Sequence, residues 1–193
     1  MKIELLKPCH FKAVESLETN VWGSEGADLS IIKSRYKTFP EGNVIVIHQE
    51  KIVGYAAVQR VSRMSCHNWD IQTDNGFIKR THKPDGHIIY GIGMSGVKNG
   101  VSNLIIDYFY DKFISSGTCY MLALGSRVPG FKGWKFKTGG DITQYINSRR
   151  KNGFSLDPEL YLYQKNGFEV LCEMENYFPC VDSENNGALI IRR

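Results

Sequence analysis

The sequence predicts a single α/β domain, and three observations carry that expectation. Two β-rich runs, Val44–Ile47 and Ile52–Val58, flank the polar stretch His48–Lys51 and read as a hairpin. His87–Met94, the loop Gly96–Gly100, a helical stripe from Val101 and the apolar run Cys119–Leu124 form a strand-loop-helix-strand unit. With 193 residues, 42% of them hydrophobic, the chain can bury one substantial core and has little left for a second, so residues 1–193 are read as one domain.

The remaining elements follow in order. Ile3–Leu6 is a short strand stopped by Pro8, and Phe11, Val14, Leu17 and Val21 recur at helical spacing. A second helix spans Leu29–Thr38 and ends before the Pro40–Gly42 turn. Ser62–Asp85 is polar and broken by Asp74-Asn75-Gly76 and Pro84-Asp85-Gly86, which predicts an irregular excursion carrying a short strand and shaping a pocket. After the helix containing Leu104, Ile105, Tyr108 and Phe113, Gly117 closes the element. Gly125–Gly140 reads as a loop and Ile142–Arg150 as a helix. Asp157 then caps a further helix with Pro158 in its first position, and strands follow at Phe168–Glu173 and Ala188–Ile191.

A net charge of +4 and a pI near 8.7 suit an anionic cofactor. They fall short of the concentrated basic patch of a nucleic-acid binder, so no nucleic-acid partner is expected. The N-terminus lacks a signal-peptide core, and no apolar run approaches the roughly 18 residues of a membrane span. A cytoplasmic protein without a membrane partner is the expectation. Cys9, Cys66, Cys119, Cys172 and Cys180 are an odd set without CxxC spacing, read as reduced thiols with neither a disulfide framework nor a metal site. Adjacency of Cys66 and His67 does not define a catalytic pair, because such partners meet in space rather than in sequence.

Gly91-Ile92-Gly93-Met94-Ser95-Gly96 matches the dinucleotide-binding glycine pattern after a strand. Yet the helical period starts only at Val101, and the next strand ends at Leu124-Gly125 without an acidic ribose ligand. A Walker A loop fails as well, since Val97-Lys98 follows Gly96. A better frame is Val97-Lys98-Asn99-Gly100-Val101-Ser102-Asn103, leading into the helix. Backbone N–H groups at a helix N-terminus, unobstructed at Gly100, can cradle a pyrophosphate with the helix dipole.

In this segment the sequence resembles the GNAT superfamily of acetyl-CoA-dependent N-acetyltransferases, whose phosphate motif is [Gln/Arg]-x-x-Gly-x-[Gly/Ala]. Gly100 matches, while Val97 stands at the Gln/Arg position and Ser102 at the small one. Tyr163-Gln164-Lys165-Asn166-Gly167-Phe168 is similar to a second family segment, Tyr-Glu-Lys-x-Gly-Phe. Thr81–Gly86, Ser126–Phe131 and Asp157-Pro158 resemble a subgroup with domains fused to carbon–nitrogen hydrolases. The resemblance implies a mixed, mostly antiparallel central sheet flanked by helices, with the strand-loop-helix-strand unit as the acyl-CoA-binding core.

It also implies direct transfer of an acyl group from acetyl-CoA, the donor, to an amine of a small molecule or peptide in a ternary complex, without a metal. A homodimer is an admissible assembly. Gly93, Met94 and Ser95 fall where the family's fourth strand bulges and exposes an N–H to the thioester carbonyl; Val97, Lys98, Asn99, Gly100, Val101, Ser102 and Asn103 fall on the phosphate loop. Tyr163 takes the position of the acid that protonates the leaving thiolate. The family's frequent basic glutamate aligns with Gly91, so His82 is the candidate base, with a turn-stabilising role as the alternative. Arg127 can bind a substrate carboxylate or a CoA phosphate through its planar fork, or lie on a surface turn. Two further readings stay open: a CoA- or carrier-binding module without catalysis, and a longer-chain or carrier-protein-dependent acyltransferase of secondary metabolism.

Overall fold

The computed structural model describes residues 1–66 and 68–193; His67, half of the Cys66–His67 adjacency, lies outside the described residues. In chain order the elements are β1 (Lys2–Leu5), α1 (Phe11–Trp22), α2 (Leu29–Thr38), β2 (Asn43–His48), β3 (Lys51–Val61), α3 (Trp69–Thr73), β4 (Ile88–Gly96) and α4 (Val101–Phe109). They continue with β5 (Met121–Arg127), α5 (Phe131–Thr138), α6 (Ile142–Asn147), α7 (Pro158–Lys165), β6 (Glu169–Met174) and β7 (Gly187–Arg192). The fold is mixed α/β, with a seven-stranded, mostly antiparallel sheet flanked by helices. Among the described residues no helix is long and apolar enough to cross a membrane, and no group of three or more His, Cys, Asp or Glu side chains could hold a metal ion.

The chain divides into two compact units. One comprises Met1–Arg63 and Thr73–Leu122, the other Met64–Gln72 and Ala123–Arg193. In the first, β1, β2, β3 and β4 are successive antiparallel neighbours, and the β2–β3 hairpin turns through Gln49 and Glu50, both in the left-handed region. Val44, Ile45 and Val46 are buried without a break, because both faces of β2 are covered. The apolar stripe of α4 (Val101, Ile105, Ile106, Phe109) is buried at helical spacing, and the helix runs on into a wide π turn over Tyr110–Ser115.

The seat of α4 follows from two glycines. Gly54 on β3 and Gly96 on β4 are direct cross-strand partners. A Cβ at Gly54 would lie 2.4 Å from Val101 Cγ1, and one at Gly96 would lie 2.9 Å from the same atom. The paired glycines thus open a gap that the fully buried Val101 fills, letting the N-terminus of α4 settle onto the sheet. Gly100, at φ 85°, makes the left-handed turn that starts the helix there.

In the second unit β5, β7 and β6 are neighbours, with β6 and β7 antiparallel, and α5, α6 and α7 lie between β5 and β6 in sequence. Two sequence expectations change. The excursion at 62–85 carries the helix α3 and, among its described residues, no strand. The predicted loop Gly125–Gly140 contains the last residues of β5 and the whole of α5. Helix α5 was illegible because Lys132, Lys135 and Lys137 and the exposed Phe136 interrupt any apolar stripe, and Gly133 lowers helix propensity.

If the glycine gap seats α4, Gly54→Ala should destabilise the protein by about 1–3 kcal/mol through overpacking against Val101. Combining it with Val101→Ala, which removes the clashing methyl, should cost less than the sum of the two single changes in denaturant unfolding. Strict additivity would count against the seat.

Candidate functional site

In the first unit the structure gathers Gly93–Asn103 into one strand-loop-helix segment. Pairing of β4 with β3 jumps from Ala57↔Gly93 to Val58↔Gly91, which leaves Ile92 as the extra residue of a β-bulge. The distortion therefore begins one residue before the predicted Gly93–Ser95, and the flanking glycines accommodate it. A Cβ at Gly93 would meet nothing within 4 Å, so the strand is open to solvent at that position. Met94 is half-buried.

Ser95, two residues further along the regular pairing and so on the same face as Gly93, is covered by α1. Its hydroxyl donates to Glu18 on α1, and the Trp22 indole N–H donates to Ser95 Oγ at 2.7 Å. The second Glu18 oxygen accepts from Ala27 N at 3.2 Å, so the carboxylate is buried with its donors in place. The Ser95 side chain is thus committed to the core, and only its backbone is available to a ligand.

Val97, Lys98, Asn99 and Gly100 form an exposed loop, entered through a hydrogen bond from Val97 N to Val53 O at 3.0 Å. Val101 contributes no side chain to the outside, and its N–H donates to Lys98 O at 3.3 Å. Leu104 N closes the first turn on Gly100 O at 3.1 Å, and Ser102 and Asn103 stand in that turn, where a helix presents its backbone donors. The exposed Val97 offers no polar contact of its own.

His82 lies elsewhere in this unit. Its ring stacks on Phe39 with centroids 4.6 Å apart, and Nδ1 accepts the backbone N–H of Arg60 at 3.2 Å. With Nδ1 accepting, the proton of the neutral ring resides on Nε2, so the basic nitrogen is already occupied. Burial, aided by the Arg60 charge, lowers the His82 pKa from its ordinary 6.5. These contacts fit the turn-stabilising alternative.

The second unit assembles an ionisable cluster around α7. Asp157 is fully buried and accepts four hydrogen bonds. Oδ1 takes Glu159 N (2.9 Å) and Leu160 N (3.2 Å), and Oδ2 takes Gly130 N (3.0 Å) and Tyr145 Oη (3.0 Å). Burial raises its pKa against those donors, and Tyr145 is raised as well, by burial and by the neighbouring carboxylate. One residue thus caps α7 and ties down the residue preceding α5.

At its other end α7 closes as a Schellman motif. Phe168 N bonds Tyr163 O at 3.1 Å, Gly167 N bonds Gln164 O at 3.0 Å, and Gly167 takes φ 80°. The Tyr163 ring meets Phe168 edge-on at 5.4 Å. Burial raises the phenol's pKa, the Glu159 carboxylate adds to the rise, and Arg127 opposes it. Tyr163 is therefore held protonated through the neutral range.

Glu159 is the functional candidate that sequence reasoning missed. It stands four residues before Tyr163, one turn away on the same face of α7. Arg127, at the end of β5 and not on a surface turn, approaches it at 3.7 Å, and Ser126 Oγ donates to its second oxygen at 3.4 Å. Burial raises the Glu159 pKa, Arg127 opposes the rise, and Asp157 adds to it. The Arg127 guanidinium also lies 5.9 Å from the centre of the Phe178 ring. The i, i+4 spacing of Glu159 and Tyr163 was the available sequence signal.

The sequence matches no family model, and no curated protein matches it. Among solved structures the chain is similar to the loading GNATL domain of CurA from Lyngbya majuscula, with a TM-score of 0.84, 18% identity, and coverage of 99% of this chain and 96% of that one. It is similar to the GphF GNAT-like decarboxylase in complex with isobutyryl-CoA, with a TM-score of 0.81, 20% identity, and coverage of 100% and 98%. Ard1 from Thermoplasma volcanium gives a TM-score of 0.60 at 14% identity, covering 99% and 95%. The chain has the GNAT fold.

The lowered His82 pKa fixes a pH dependence of stability. The unfolded chain takes up the proton first, so the contribution is fully present above pH 6.5 and is lost as pH falls below it. The melting temperature should therefore drop on acidification from neutral pH, and the drop should be smaller in His82→Gln. An equal drop in both proteins would show that His82 does not carry it.

Proposed function

We propose that this chain is an acyl-CoA-dependent acyltransferase, binding the donor through Gly93–Asn103 and passing the acetyl or other acyl group directly to an amine of a small molecule or peptide. The observation that carries the reading is the bulge at Ile92 followed by the left-handed Gly100 at the head of α4. A bulged strand exposes a backbone donor to a carbonyl, and a helix N-terminus favours a pyrophosphate. Lys98 adds positive charge to the same exposed loop.

In this reading Tyr163 protonates the departing thiolate, Arg127 orients an anionic group of the substrate, and no metal takes part. The proton of an ammonium acceptor needs a base. His82 has its acceptor nitrogen engaged, whereas Glu159 has a carboxylate made more basic by burial, one turn from Tyr163. Glu159 is therefore the preferred base.

A specific observation favours a second reading. The TM-scores of 0.84 and 0.81 to the loading GNATL domain and the GNAT-like decarboxylase exceed the 0.60 to Ard1. β4 also lacks a carboxylate at Gly91. On this reading the acceptor is a carrier-protein thiol, or a β-carboxylated acyl-CoA loses carbon dioxide on the enzyme.

Mass spectrometry of products from acetyl-CoA and from a β-carboxylated acyl-CoA, with an amine panel and with a thiol-bearing carrier, separates the readings. Acylated amine supports the first, and acyl-carrier or decarboxylated thioester supports the second. Binding of CoA with none of these products would leave a non-catalytic module.

Three substitutions probe the roles. Gly93→Ala should leave stability unchanged, since its Cβ meets open space, yet weaken CoA binding in calorimetry. Tyr163→Phe should lower kcat by about tenfold or more with donor KM little changed. Glu159→Gln should remove the acidic limb of the pH–rate profile; a limb that survives there and disappears in His82→Gln would return the base role to His82.

A further inference from the structure

The second unit holds a pair of thiols that the proposed chemistry does not use. Cys66 precedes α3 and Cys172 lies in β6; 106 positions separate them, yet their sulfurs are 3.1 Å apart. Both are free thiols, Cys66 exposed and Cys172 half-buried. Closing by about 1 Å would bring the sulfurs to the ~2.05 Å of a disulfide bond.

The surroundings hold the two segments together independently of the sulfurs. Trp69 N donates to Tyr177 O at 2.8 Å, and the Trp69 ring packs edge-on against Phe178 at 5.6 Å. Ser65 Oγ donates to Gln72 across the same stretch. The residues around Cys66 are therefore anchored to the segment that follows β6, and Phe178 in that segment is the ring beside Arg127.

We propose that Cys66 and Cys172 form a reversible intramolecular disulfide, a redox modification site that fastens the 64–72 stretch to β6 beside the Phe178–Arg127 contact. The co-reactant is a low-molecular-weight disulfide. The Cys66 thiolate attacks one of its sulfurs, forming a mixed disulfide and expelling one thiolate. The Cys172 thiolate then attacks the Cys66 sulfur, forming the Sγ–Sγ bond and expelling the second. Two electrons pass to the reagent, and the two protons lost by the cysteines appear on the two released thiols.

The order follows from access: Cys66 is exposed, whereas burial, the Cys66 thiol and the Glu173 carboxylate push the Cys172 thiol up to about 12. Resolution of the mixed disulfide should accordingly quicken as pH rises.

The full chain is incubated with oxidised glutathione, quenched with an alkylating agent and mapped as peptides without reduction. The expected result is a Cys66–Cys172 linked peptide, an intact mass two hydrogen atoms lighter, and complete reversal by dithiothreitol. Cys172→Ser should instead accumulate glutathione on Cys66. Alkylation of both cysteines in the oxidised wild-type chain, or linkage of either to another cysteine, would overturn the proposal. The map on the wild-type protein decides the matter even if a serine variant folds poorly, and it does so whether or not acyl transfer is found.

Discussion

The seat of Val101 over the Gly54–Gly96 pair is the contact on which the first unit's candidate site depends. A helix can approach a sheet only as closely as intervening side chains allow, and here two cross-strand partners have none. The space they leave is filled by a β-branched side chain with few rotamers, so the helix has little freedom to slide. Its position sets the Val97–Gly100 loop, which must leave β4 at Gly96, turn left-handed at Gly100 and enter α4 at once. The bulge at Ile92 follows the same logic in reverse. One extra residue re-phases the pleat, so that Gly93 and Ser95 share a face, which is open at Gly93 and covered at Ser95 by Glu18 and Trp22 of α1.

The second unit is organised by charge. Asp157 has no exposure, yet four donors converge on its two oxygens, an arrangement that holds a buried carboxylate in place and makes its loss costly. Because two of those donors are the first N–H groups of α7, the helix start is fixed to the residue. Everything one turn further along inherits that precision. Glu159 and Tyr163 share a face, Arg127 reaches Glu159 from the end of β5, and the Ser126 hydroxyl, which also donates to Arg127 O at 2.9 Å, lies 3.4 Å from the second Glu159 oxygen.

Much of this was legible in the sequence where local rules act alone. Asp157-Pro158 announced the start of α7 because capping and a fixed proline φ are properties of two adjacent residues. The family resemblance places the bulge near Gly93–Ser95, and the glycines at 91 and 93 are residues that permit one in a strand. The failures have a common origin in distance. Nothing near Gly54 says that Val101 will sit on it, nothing near Cys66 names Cys172, and the engagement of His82 by the Arg60 N–H depends on β3 passing beside it. Helix α5 failed differently: a short helix with lysines on most sides carries no period to read. Glu159 was readable from its spacing to Tyr163, but the spacing acquires chemical meaning only when Arg127 and burial are added.

These placements divide the candidate chemistry by type of group. Along the open stretch of β4, Gly91, Ile92, Gly93 and Met94 carry no ionisable side chain, and the one hydroxyl, Ser95, is held by a buried carboxylate. What that strand and the head of α4 can offer a ligand is backbone polarity, which does not titrate and is insensitive to pH. In the second unit, burial has moved the pKa values of two groups on α7, Glu159 and Tyr163, upward. In the proposed reading the donor is held by backbone N–H groups and the helix dipole, to which the apolar Val97 side chain adds no polar contact. In the same reading the base role falls to Glu159, which has the burial, the Arg127 partner and a place on the helix of Tyr163.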